Sequence, residues 1–143
     1  RHRATRSAGR FTLVEILIVA LILGILAAIV IPRFTSAARE TRDSSARMSL
    51  HRVREQLELY KEQHNGYPSL ANFVAQMTGT TDANGDPVAP GHGAKGPYIK
   101  EVPNNPNNGM NTVSDGVPGT SGWYYNEATG EFRANDSADS RLF

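Results

Sequence analysis

Glu15 is the one acid in "FTLVEILIVALILGILAAIVI", residues 11–31, where every other position except Thr12 is apolar or small. A carboxylate placed in hydrocarbon costs a few kcal/mol, so this residue either sits shallow enough to reach water or needs a cation beside it. Its chemistry would be ion pairing. The other candidates offer less. His51 and His64 stand far apart on one segment and His92 lies in a Gly-rich stretch, so none has a neighbour at metal-ligand spacing. There is no Cys, which removes disulfides, thiolate metal sites and cysteine nucleophiles together. No nucleophile elbow and no phosphate-cradling GxxxxGK occurs, and the chain is not expected to be an enzyme. The string "DANGD", Asp82 to Asp86, suggests a calcium loop, but Pro87 stands where that pattern needs Gly and Gly93 where the closing Glu belongs. An ordinary surface turn is expected there.

The element that positions Glu15 is a spanning helix. Residues 11–31 supply about twenty-one positions, roughly what an α-helix needs to cross a bilayer core. A secretory signal has a shorter apolar region ending in small residues at a cleavage site, whereas this run flows into Pro32 and a polar helical pattern. Any cleavage is therefore expected ahead of the run. The chain begins on Arg1, so the start of the natural protein is left open.

Charge divides unevenly around that helix. Of the 15 Lys and Arg residues, Arg1, Arg3, Arg6 and Arg10 precede Phe11 with no acid among them, which leaves 11 basic against 14 acidic residues beyond. Those four arginines place the N-terminus in the cytoplasm and send everything after Pro32 outward. The basic residues beyond Phe11 are interleaved with acids, so a nucleic-acid surface is not expected.

Past the apolar run, Pro32 lacks an N–H and clashes with the preceding turn, so a kink is expected near it. Helical periodicity then resumes through Leu50, Val53, Leu57, Tyr60 and His64, with charged residues on the other face. Counted from Phe11 to His64, the interrupted helix would be roughly 80 Å long, more than a head of this size can cover. Asn65-Gly66 followed by Tyr67-Pro68 should stop it. A short helix is expected from Ser69 to Gln76 with Ser69 as its cap, then a polar Gly/Pro loop. Strand-like runs follow at Tyr98–Val102 and Asn111–Ser114, and a hairpin at Trp123–Tyr125 and Glu131–Arg133 around Asn126–Gly130. The fold class is α+β: a long N-terminal helix, transmembrane in its first half, packed against a small antiparallel sheet. Its parts are a basic leader at 1–10, a transmembrane helix at 11–31, an amphipathic extension at 32–64 and a loop-rich head at 65–143.

The stretch from Gly9 to Phe34 resembles the N-terminal signature of type IV pilins and type II secretion pseudopilins: a basic leader ending at Gly, then FTLVE, an apolar helix and a Pro about twenty residues in. With Phe11 as first mature residue, Glu15 is the fifth and Pro32 the twenty-second, as in that family. The resemblance implies that a prepilin peptidase cuts before Phe11, that the Phe11 amine is N-methylated, and that Glu15 pairs with the amine of an adjacent subunit. Such an ammonium is what a buried carboxylate requires. One departure is that Arg10 separates Gly9 from Phe11. Cleavage after Arg10 keeps Glu15 fifth and is favoured, because the register from Phe11 to Pro32 is otherwise intact.

The string "LELYKEQHNGYPS" is further similar to the major, G-type pseudopilin, which extends the resemblance to about half the chain. This implies an inner-membrane subunit that forms a homo-oligomeric filament in the periplasm, working with an assembly platform and minor pseudopilins to export folded proteins. The alternative is a type IV pilin of a surface fibre for adhesion, twitching or DNA uptake; such pilins often close a C-terminal loop with a disulfide, which this chain lacks the cysteines to form. G-type relatives also hold a structural calcium ion near the C-terminal strands. Asp115, Asp136 and Asp139 are the late aspartates available for one, and they do not align onto that motif.

Overall fold

The computed structural model describes residues 11–138, the side chain at position 32 excepted. The leader residues Gly9 and Arg10, and Asp139, lie outside the described residues. The chain divides into two units, the first ending at Glu40 and the second starting at Thr41.

In the first unit helix α1 (Leu13–His64) begins two residues after Phe11, and its helical assignment continues through position 32. All its large apolar side chains from Leu13 to Ile31 are exposed, and none of its most apolar stretch is covered by the chain. A helix that is apolar all round has no single face to lay on a core; it needs an apolar surrounding on every side. This helix is long and apolar enough to cross a membrane. Downstream, the Thr35 hydroxyl donates to the Ile31 carbonyl at 3.1 Å, a side-chain bond that competes with the backbone ladder and favours a bend just past Pro32.

The second unit has its own core. Along α1, Ala46, Leu50, Val53, Leu57 and Tyr60 are buried at steps of three and four residues, while intervening Arg52, Glu55 and Glu58 are exposed. This is the stripe the periodicity predicts. Onto it pack Phe73 and Met77 of α2 (Phe73–Thr78) and the inward side chains of a small sheet. Strands β2 (Trp123–Asn126) and β3 (Glu131–Ala134) form the expected hairpin, with Trp123 opposite Ala134 and Tyr125 opposite Phe132. Alternation sends Trp123, Tyr125, Phe132 and Ala134 inward and leaves Tyr124 and Arg133 on the outer face, where the guanidinium lies 3.6 Å from the Tyr124 ring centre. Phe73 meets Tyr125 edge-on at 4.6 Å and Trp123 stacks on Phe132 at 5.5 Å. Burying each such ring stabilises the head by about 1.5–3 kcal/mol.

Three details differ from the sequence expectations. The sheet is mixed rather than antiparallel: β1 (Val113–Ser114) pairs parallel with β2, Val113 opposite Trp123. A parallel neighbour normally needs a long crossover. Here a two-residue strand and a loop folded back on buried hydrogen bonds suffice. Tyr98–Val102 forms no strand, although Tyr98, Ile99 and Val102 are buried in the core; the backbone N–H groups of Tyr98 and Ile99 donate instead to the Met77 carbonyl at the end of α2. Finally α2 starts at Phe73, because the Ser69 backbone N–H and hydroxyl both turn to the Gln76 side-chain oxygen, at 2.8 and 3.4 Å, and do not cap a helix.

Helix α1 stops as expected, with Asn65 taking the left-handed conformation at φ 57° that commonly ends a helix. The His64 ring bonds the Tyr60 carbonyl at 3.0 Å, which occupies one of the carbonyls a helix end leaves unpaired. In the hairpin turn Gly130 has φ 72°, and a Cβ there would fall inside the Tyr67 ring. No other residue fits that position.

Candidate functional site

Helix α1 starts where it does because Thr12 caps it. The Thr12 hydroxyl accepts the Glu15 backbone N–H at 3.2 Å, and the Thr12 carbonyl accepts that of Ile16 at 3.3 Å. Thr12-Leu13-Val14-Glu15 has the T-x-x-E spacing of a capping box, a signal legible in the sequence beside the charge of Glu15. Glu15 thus stands in the first turn, where its negative charge also meets the positive end of the helix dipole. Its position is set locally before any partner is considered.

Phe11 precedes the helix and is 76% exposed, and with Thr12, Leu13, Ile16, Leu17 and Ala20 it lines a shallow, mostly apolar depression beside Glu15. The structure therefore gathers Phe11, Thr12 and Glu15 at one helix end. Pro32 lies well along the same helix, away from that end. What the arrangement offers chemically is an acid and an apolar depression presented together at the head of an uncovered apolar helix.

The other candidate residues fall into structural roles. His64 stacks on Tyr60 at 3.9 Å and its second ring nitrogen bonds the Thr81 hydroxyl at 2.9 Å, tying the end of α1 to the following loop. Tyr98 closes the same cluster by donating to the Gln63 side chain at 2.7 Å. Burial raises the phenol pKa of both Tyr60 and Tyr98, with Asp82 and Asp86 adding to the shift at Tyr60. The largest upward shift is at Tyr125, again from burial; its hydroxyl donates to the Pro68 carbonyl at 2.7 Å. In "DANGD" one Asp82 carboxylate oxygen accepts the backbone N–H groups of Asn84 and Asp86, at 2.8 and 3.0 Å. That is the local chemistry of a turn.

The calcium expectation meets the same kind of geometry. Asp115 is exposed, Asp136 accepts from the buried Asn105 side chain at 3.0 Å, and no group of three His, Cys, Asp or Glu side chains comes together among the described residues. Calcium asks for six to eight oxygens, several of them carboxylate. The described residues do not gather that set.

A membrane-length apolar helix headed by one acid, continuing into an amphipathic half that is packed under a small α+β head, is consistent with the pilin-like fold class. Within that class the chain is similar to a particular protein, the type II secretion system core protein G. It is 29% identical to that of Pseudomonas aeruginosa over 133 residues, covering 92% of each chain. The match to the Vibrio cholerae protein is 29% over 116 residues, 80% of this chain and 77% of the relative, and that to the Escherichia coli protein 28% over 104 residues, 73% and 70%. No protein-family model and no solved structure matches the chain. The resemblance to the G-type pseudopilins, read from two short motifs, thus extends along most of the sequence.

Proposed function

We propose that the chain works as the major pseudopilin of a type II secretion system, a filament subunit whose action is mechanical. The observation that carries this is the fully uncovered apolar helix Leu13–Ile31 with Glu15 in its first turn, on a chain similar throughout to core protein G. An apolar surface of that length needs lipid before assembly and sibling helices after it. Anchored in the inner membrane with its leader in the cytoplasm and its head in the periplasm, the subunit would wait for an assembly platform to extract it. Minor pseudopilins and an assembly ATPase complete that machine.

On this reading a prepilin peptidase cuts between Arg10 and Phe11, the new amine is methylated, and Glu15 of one copy receives the Phe11 ammonium of the next. A carboxylate in an apolar bundle is tolerated when such a charge compensates it. Pro32 gives the helix a weak point that helps it pack in the filament. The experiment is Glu15→Ala expressed in cells carrying the secretion machinery, with filaments counted by electron microscopy and the N-terminus of membrane-extracted protein read by mass spectrometry. Loss of filaments together with a methylated Phe11 in the parent protein is expected. Unchanged filaments, or a mature chain that keeps its arginines, would sink the proposal.

A further inference from the structure

Asn105 and Asn135 are both fully buried in the head, where an amide is costly unless its hydrogen bonds are made. Each makes them into the segment leading to β2. The Asn105 Nδ2 donates to the Gly122 carbonyl at 2.8 Å and to Asp136 Oδ1 at 3.0 Å. The Asn135 Nδ2 donates to the Val117 carbonyl at 3.2 Å and to Ser121 Oγ at 2.8 Å. Ser121 Oγ also accepts from Ser114 Oγ at 2.8 Å and donates to the Trp123 carbonyl at 3.0 Å, which uses its one proton and both lone pairs. The Gly119 backbone N–H closes the ring by donating to the Asn135 carbonyl. Gly122 is the one residue that fits its place, since a Cβ would collide with the Met110 carbonyl.

The carbonyl and carboxylate oxygens that converge here, Val117 O, Gly122 O, Asn135 O and Asp136 Oδ1, all accept from N–H groups. That is the role a cation plays when a loop of oxygens must be held together: positive charge placed among negative dipoles. Two amide groups supply it as partial charges on hydrogens, without desolvating an ion. Among the buried side-chain oxygens of the described residues, Asn135 Oδ1 is the one without a partner, and a single neutral acceptor falls far short of a calcium shell.

We propose that the loop from Ser114 to Gly122 is closed by the Asn105 and Asn135 amides in place of a metal ion, so that the head of this chain folds independently of calcium. The proposal concerns the head's stability and does not need the filament reading; either can fail alone.

The test is thermal unfolding of the full chain in detergent, followed by Trp123 fluorescence and by near-ultraviolet circular dichroism. The parent protein in EGTA and in excess calcium chloride should unfold at the same midpoint. Asn105→Ala and Asn135→Ala should each lower the midpoint by roughly 5–15 °C, because each removes two hydrogen bonds from the interior of the head. Asn135→Asp discriminates further: it removes both Nδ2 bonds and adds a carboxylate, so the midpoint should fall and calcium should not restore it. A midpoint that drops on EGTA in the parent, or an Asn135→Asp chain rescued by calcium, overturns the proposal. So does an Asn105→Ala or Asn135→Ala chain as stable as its parent. If either alanine variant fails to accumulate folded, the comparison of EGTA with calcium in the parent still decides.

Discussion

Two stretches of the same helix are rich in apolar residues, and the chain treats them in opposite ways. Between Leu13 and Ile31 the large apolar side chains remain 45–80% exposed; Leu50, Val53, Leu57 and Tyr60 retain 0–2%. The difference lies in how far round the helix the apolar residues extend. The second stretch confines its apolar residues to a stripe and gives the opposite face to charge, so one small head covers what needs covering. In the first the apolar residues run all round, which no one-sided partner within the chain satisfies. One half of the helix therefore specifies the head's own fold, and the other calls for an apolar surrounding that the chain does not supply.

That contrast implies two independent stabilities, and substitutions should separate them. The largest effect belongs to Trp123→Ala, which removes the biggest fully buried side chain and should cost the head about 3–5 kcal/mol. Loss of near-ultraviolet circular dichroism and rapid proteolysis of the head are expected, with the chain still in the membrane fraction. Were it released from membranes as well, the separation would be broken. Next comes Ile22→Asp, in the middle of the apolar run, where an acid costs about 2.5–3.5 kcal/mol of insertion. Membrane retention should fall while the detergent-solubilised head melts as before.

The smallest effect, Tyr125→Phe, sharpens the head side alone. Its hydroxyl bond to Pro68 is worth about 1 kcal/mol at neutral pH. Burial holds the folded phenol above its ordinary pKa, so the unfolded chain ionises first as pH climbs. Stability from this group is therefore complete below the ordinary tyrosine range near pH 10 and is lost above it. The Phe variant should lose stability less steeply under alkali than the parent, as denaturant titrations across that range would show. Equal slopes would mean that Tyr125 ionises as freely folded as unfolded.

Much of the plan was legible because it is written in local spacing. The spanning run, the stripe from Leu50 to Tyr60, the helix stop at Asn65 and the hairpin around Asn126–Gly130 each need only a few neighbouring residues to be recognised. The T-x-x-E cap at Thr12 was equally local, and it was missed because Glu15 was weighed as a charge rather than as a helix-terminal residue. Tyr98–Val102 misled for a different reason. A short apolar segment satisfies its backbone either in a ladder or on a helix end, and only the position of the Met77 carbonyl decides between them.

By itself, then, the sequence determined that a membrane-length helix carries one acid in its first turn, and that an amphipathic continuation seeks a small head. Both follow from periodicity, which residues express without reference to distant ones. The tertiary structure alone decided that β1 runs parallel to β2 and that two asparagines close the loop between those strands. Asn105 and Asn135 find partners up to 31 positions away, and nothing in the spacing of polar residues says which amide will meet which carbonyl until the chain has folded them together.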